Sequence, residues 1–310
     1  MAMASLRPLL LVLGLLLCVL GPSVSHAGKL LVVPADGSHW LSMLGVIPQL
    51  QQNGHEIVVM APEALLYIKE GSSYTLKTYP VPFQSEDVEA SFVELGHDTF
   101  GNYPFLQRMI KIYKKVKRDS AMIFSGCSHL MHNKELMASL VESSFDVVLT
   151  DPFFPCGAIV AQYLALPAVF FLNALPCGLH FEATQCPNPL SYVPRSMSLN
   201  PDRMSFPQRV KNVLIALTEK VMCNMVYSPY SLLASEVLQR DVTIQDLLAS
   251  ASIWLLRTDF VNEYPRPTMP NMAFIGGINC LAKNLLSQVC IRVDFLHACT
   301  LGSSLDEGAF

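Results

Sequence analysis

Lys29-Leu30-Leu31-Val32-Val33-Pro34-Ala35-Asp36-Gly37-Ser38-His39-Trp40 is the stretch that decides the fold. Its first half is an apolar run of the length of a buried strand. Gly37 allows a tight turn, and Leu41-Ser42-Met43-Leu44-Gly45-Val46-Ile47 reads as a helix start, with Ser38 as its N-cap. His39 then stands at the carboxyl end of a strand, where open parallel sheets place their ligands. An imidazole there is suited to lifting a proton near neutral pH. From these residues alone, a surface-loop histidine fits equally well.

Working outward, the helical pattern continues to Gln52, with Pro48 kinking or splitting it and Asn53-Gly54 stopping it. His55-Glu56-Ile57-Val58-Val59-Met60 is a second strand, so the segment is a βαβ unit. A weaker third strand covers residues 74–79 and ends at Pro80-Val81-Pro82. The pattern recurs in Phe145-Asp146-Val147-Val148-Leu149-Thr150-Asp151-Pro152-Phe153, an apolar strand ending in Asp151. A helix over 155–165 and a strand, Ala168-Val169-Phe170-Phe171-Leu172, follow. Residues 152–179 carry no charge at all. Pro155, Pro167 and Pro176, with the alternation of elements, argue for a buried βαβ core rather than a membrane span. The fold class is therefore α/β, with a Rossmann-like parallel sheet.

In such a sheet the carboxyl ends of strands converge on one edge, so His39 and Asp151 are the candidate site. A carboxylate accepting one imidazole N–H fixes the tautomer and stabilises the imidazolium as it forms. The alternative for Asp151 is a turn or helix-capping residue before Pro152. Between these segments, Phe105, Met109, Ile110, Ile112, Tyr113 and Val116 recur at helical spacing. The basic residues Lys111, Lys114, Lys115, Lys117 and Arg118 read as a solvated face of that helix, with a membrane-surface contact as the alternative. Cys127, His129 and His132 cluster without a second pair of ligands, so no metal site is expected.

The chain has 310 residues, is 51% hydrophobic and only 15% charged, and its mean hydropathy is +0.37. A net charge of −4 lacks the basic footprint of a nucleic-acid binder. Arg7, the apolar run 9–20 and Ser25-His26-Ala27 read as a secretory signal peptide over residues 1–27, since the run is too short to span a bilayer. The mature chain would lie in the endoplasmic reticulum lumen. Nine cysteines are present, of which Cys18 leaves with the signal. Disulfides are permitted there, yet the spacing shows no framework, so most cysteines are expected to be small buried hydrophobes. No Asn-x-Ser/Thr sequon occurs.

Several longer runs resemble the UDP-glucuronosyltransferases of family 1, nearest the bilirubin- and phenol-conjugating members. They are residues 36–43, 54–59, 74–83, 144–153, 182–189 and 264–279, the last with Pro265-Arg266-Pro267. The resemblance implies the amino-terminal half of a GT-B glycosyltransferase. In the family that half binds a lipophilic small-molecule acceptor, and the other half binds the co-substrate UDP-glucuronate. His39 matches the general base and Asp151 the carboxylate supporting it.

Likeness covers residues 28–288, the expected acceptor-binding domain, and stops at Val289-Cys290-Ile291-Arg292-Val293-Asp294-Phe295. The tail 289–310 does not resemble the donor domain. Acceptor binding without turnover is therefore expected of the chain alone, with no cofactor of its own. An apolar face should be left exposed on the side that meets the donor domain. Peripheral membrane contact is expected in place of a spanning helix. The alternative role is a non-catalytic partner that pairs with full-length family members and lowers their activity.

Overall fold

The structure, a computed structural model, describes residues 27–278 apart from positions 173, 174, 196, 197, 260 and 262. The tail expected over 289–310 lies outside the described residues, as does the expected signal peptide up to residue 26.

Seven strands build one sheet: β1 (Lys29–Val33), β2 (Glu56–Pro62), β3 (Thr75–Tyr79), β4 (Val147–Thr150), β5 (Ala168–Leu172), β6 (Ala251–Leu256) and β7 (Met272–Phe274). Their order is β3-β2-β1-β4-β5-β6-β7, and every neighbouring pair is parallel. This is the α/β, Rossmann-like sheet the apolar runs implied. The chain winds outward from β1 in one direction and from β4 in the other, so the switch point of the topology lies between β1 and β4.

Both sheet faces are covered, which is why the strands are apolar throughout rather than alternating. Leu31, Val33, Val58, Met60 and Val148 point into one core; Val32, Ile57, Val59 and Leu149 point into the other, with Trp40, Met43 and Ile47. Pro48 does split the first helical segment: α1 (Ser38–Leu44) ends at Gly45, and α2 (Ile47–Gln52) starts with Pro48 in its first turn. Ser38 is not the cap. Gly37 is, with φ 81° and ψ −144°, a conformation closed to residues with a Cβ. The helix therefore starts one residue early and takes His39 into its first turn.

Helices α3 (Ser85–Phe100), α4 (Phe105–His132) and α5 (Lys134–Glu142) connect β3 to β4. The basic residues of α4 are not simply a solvated face. Lys115 is buried; its ammonium donates to Asp119 at 2.7 Å and to Ser91 on α3 at 3.1 Å. Lys111 pairs with Asp98 at 3.0 Å, and Arg118 with Glu94, again across to α3. Lys114, Lys117 and Arg118 are exposed, and Lys111 is partly so. The spacing placed these residues on a helix correctly, but a second acidic helix lies over them, and that was not visible locally.

The reading of the cysteines as unpaired hydrophobes is also corrected. Cys127 bonds Cys156, tying α4 to α6 (Cys156–Tyr163), and Cys177 bonds Cys223. The second bond ties the 3₁₀ turn Pro176–Gly178 to α8 (Phe206–Leu238). Cys186 is the one free cysteine among the described residues. Partners 29 and 46 residues apart leave no spacing pattern, because the fold and not the local chain brings them together. With Cys127 in a disulfide, its cluster with His129 and His132 has no thiolate to offer. Each imidazole Nδ1 bonds a carbonyl one turn back, Ser125 at 2.8 Å and Ser128 at 2.7 Å.

The short helices α7 (Leu179–Ala183) and α9 (Ile244–Ala249) complete the described elements.

Candidate functional site

Three side chains set the loop after β1. Asp36 Oδ1 accepts from the Gly37 amide at 2.7 Å and from Tyr67 at 3.2 Å, while Oδ2 accepts from Leu66 at 2.7 Å. One carboxylate thus holds the turn before α1 against the loop after β2. Trp40 and Met43 anchor the inner face of α1 in the core. His39, one residue before Trp40, is left at the sheet edge with about a quarter of its side chain exposed (27%).

The loop after β4 is set as firmly. Thr150 Oγ1 donates to the Val33 carbonyl at 2.6 Å, joining the ends of β1 and β4 inside the core. Asp151 follows, with its side chain 1% exposed. Its Oδ1 accepts from the Phe153 amide at 2.8 Å, and its Oδ2 lies 2.6 Å from His39 Nδ1. Asp151 therefore makes the turn and meets the imidazole as well, using one oxygen for each. A carboxylate only accepts, so this pair puts the ring proton on Nδ1 and leaves the lone pair on Nε2.

Phe153 lies against the imidazole, with ring centroids 5.1 Å apart. Its carbonyl accepts from the Tyr227 hydroxyl of α8 at 3.2 Å. Burial, and to a lesser degree the charge of Asp151, push the Tyr227 phenol well above its ordinary range. It stays a neutral donor and pins the loop. Reading the chain locally missed Asp36, Thr150 and Tyr227 as parts of this site. The Asp36-Gly37 turn was a usable signal for the first; the other two act through contacts more than 70 residues away.

Among the described residues no cluster of His, Cys, Asp or Glu could hold a metal ion. No described helix is long and apolar enough to cross a membrane.

The sequence profile of the UDP-glucoronosyl and UDP-glucosyl transferases matches residues 28–295. The chain belongs to this family. It is 72% identical to human UDP-glucuronosyltransferase 1A1 over 282 residues, 91% of this chain and 52% of that protein. The rat UDP-glucuronosyltransferase 1A1 is 70% identical over 280 residues, again 52% of its length. This UDP-glucuronosyltransferase family chain thus spans about half the length of the curated relatives it matches. A solved structure of the glycotransferase of kitacinnamycin aligns at 12% identity over 81% of this chain and 51% of that one, with a TM-score of 0.44.

Proposed function

We propose that residues 28–288 are the acceptor-binding half of a GT-B glucuronosyltransferase, with His39 as general base. The observation that carries this reading is the 2.6 Å pairing of His39 Nδ1 with Asp151 Oδ2 at the switch point of the sheet. Nε2 takes the proton of an acceptor hydroxyl as that oxygen attacks the anomeric carbon of UDP-glucuronate. The C–O bond to UDP breaks on the opposite face, so the configuration inverts. Asp151 holds the ring and offsets the charge it gains. A positioned base supplies on the order of 10²–10⁴-fold; the remainder comes from orientation and leaving-group stabilisation. The donor is held by the half of the family's length that this chain does not match. The acceptor is a small lipophilic molecule carrying a hydroxyl, such as a phenol. Two disulfides support residence in the oxidising lumen of the endoplasmic reticulum.

The test is glucuronide formation by this chain alone and by this chain joined to the carboxyl half of its human relative. Turnover is expected only in the joined protein, and His39→Ala should remove it. Full activity in His39→Ala would end the general-base reading.

A second reading, that of a chain pairing with full-length family members and lowering their activity, is favoured by α8. Phe206, Val210, Leu214, Leu217 and Val221 recur every three or four residues and are all exposed, Phe206 at 79% and Val221 at 73%. That is an apolar stripe along one helix face with no cover in the described chain. Co-expression with the full-length human relative at matched levels decides it. Association and reduced activity, both lost in Leu217→Glu, are expected; unchanged activity without association would remove this reading.

A further inference from the structure

Pro152-Phe153-Phe154-Pro155 links Asp151 to α6. Neither proline has a backbone N–H to give, so this loop has two amides for hydrogen bonds, those of Phe153 and Phe154. Phe153 is attached in three directions. Its amide donates to Asp151 Oδ1 at 2.8 Å, and its ring lies 5.1 Å from the His39 imidazole, centroid to centroid. Its carbonyl accepts from the Tyr227 hydroxyl at 3.2 Å, across 74 residues of chain. The first two attachments meet the two members of the candidate pair; the third is made to α8.

Tyr227 is a firm anchor. It is 3% exposed and lies one helical turn after Cys223, whose disulfide ties α8 to the turn at Pro176–Gly178. Its bond matters because of which atom it holds. A peptide unit is planar, and only φ and ψ turn one plane against the next. Asp151 fixes the plane before the Phe153 Cα, and Tyr227 fixes the plane after it. With both held, φ and ψ are set, and so is the Cα–Cβ bond that aims the ring at His39. Without the hydroxyl the second plane is free and ψ with it. An aromatic ring within about 6 Å also attracts a cation, so this ring favours the imidazolium that forms when His39 takes a proton.

We propose that Tyr227 is a positioning residue for the His39–Asp151 pair: its hydroxyl fixes the Phe153 peptide, and Phe153 in turn holds the imidazole for proton transfer. This rests on the reading of His39 as general base. Tyr227 acts through Phe153 and not on the acceptor, so its loss falls on the chemical step and leaves acceptor binding as it was.

Tyr227→Phe removes the hydroxyl and keeps the ring. In the chain joined to the carboxyl half of its human relative, this variant should lose about tenfold in kcat, since a misplacement of about 1 Å can cost about 10²-fold, with KM for a phenol unchanged. Phe153→Leu keeps both backbone bonds and loses the aromatic face, so kcat should fall about two- to fivefold. Proton NMR of the chain alone supplies a readout besides activity. The Nδ1–H of His39, assigned by its absence in His39→Gln, should give a downfield signal that broadens or vanishes in Tyr227→Phe. A merely structural tyrosine would lower the thermal midpoint and leave kcat and that signal as they are. Should Tyr227→Phe fail to fold, Phe153→Leu takes its place, and wild-type kcat there overturns the proposal equally. Full activity in His39→Ala ends the general-base reading and this proposal with it. Activity that depends on His39 but keeps its wild-type kcat in Tyr227→Phe, or an Nδ1–H signal unaltered in that variant, overturns the proposal alone.

Discussion

Thr150 donates its hydroxyl to the carbonyl of Val33 at 2.6 Å, and this buried bond levels the ends of β1 and β4 where the chain reverses its winding. His39 and Asp151 lie six and one residues further along, respectively. Their meeting follows from strand register (Val33 opposite Thr150) and from two turns, each held by an aspartate.

Gly157 is the weakest tolerance behind that bond. An added Cβ would fall 2.0 Å from Thr150 Oγ1, so α6 can approach β4 only at a glycine. Gly157→Ala is expected to cost about 1–3 kcal/mol, as overpacking does. Urea unfolding measures it, and an unchanged midpoint would show that α6 shifts freely.

Asp151→Asn separates the two duties of that side chain. The amide oxygen keeps the bond from the Phe153 amide, so folding should change little. The amide NH₂ now faces His39 Nδ1 and favours the tautomer with the proton on Nε2, where the base needs its lone pair. In the joined enzyme kcat should fall on the order of 10²-fold or more with the thermal midpoint nearly unchanged. A matching loss in both would reduce Asp151 to a structural turn.

His180 links stability to pH. In the unfolded chain it binds a proton below about its ordinary 6.5, but in the folded chain only below about 3. Between these values the unfolded state holds more protons, so stability falls as pH falls, by up to about 1.4 kcal/mol per pH unit. Above pH 6.5 the contribution is complete. Denaturant midpoints measured across this window should flatten in His180→Leu; an unaltered slope would place the effect on other groups.

The Cys177–Cys223 bond closes a separation of 46 residues in the wall of a cavity past β5. Cys177→Ser with Cys223→Ser should cost about 2–4 kcal/mol. Peptide mapping without reduction should recover both disulfides as linked pairs.

Much of this was legible in the chain. Four of the seven strands announce themselves as apolar runs between turn residues, because a strand buried on both faces must be apolar along its whole length. Thr75–Tyr79 is weaker in sequence because it is an edge strand and stays half wet. Ala251–Leu256 and Met272–Phe274 were not read at all. The first contains an apolar run, Ile253-Trp254-Leu255-Leu256, as readable as the others; the second is three residues long and carries little local signal. The long helix α8 was missed for a related reason: its apolar residues are spread around the helix, some in the core and some exposed as the stripe.

By itself the sequence determined the class of fold, the family and the two residues at the sheet edge, since hydrophobic runs, turns and shared segments are all local properties. Tertiary structure decided everything that depends on distance through space. It paired Cys127 with Cys156 and Cys177 with Cys223 and buried Lys115 among acids of its own and a neighbouring helix. It also gathered His180 and Arg195 around one cavity. Such contacts join residues that chain order leaves apart, and packing of whole elements, which no window of sequence contains, selects them.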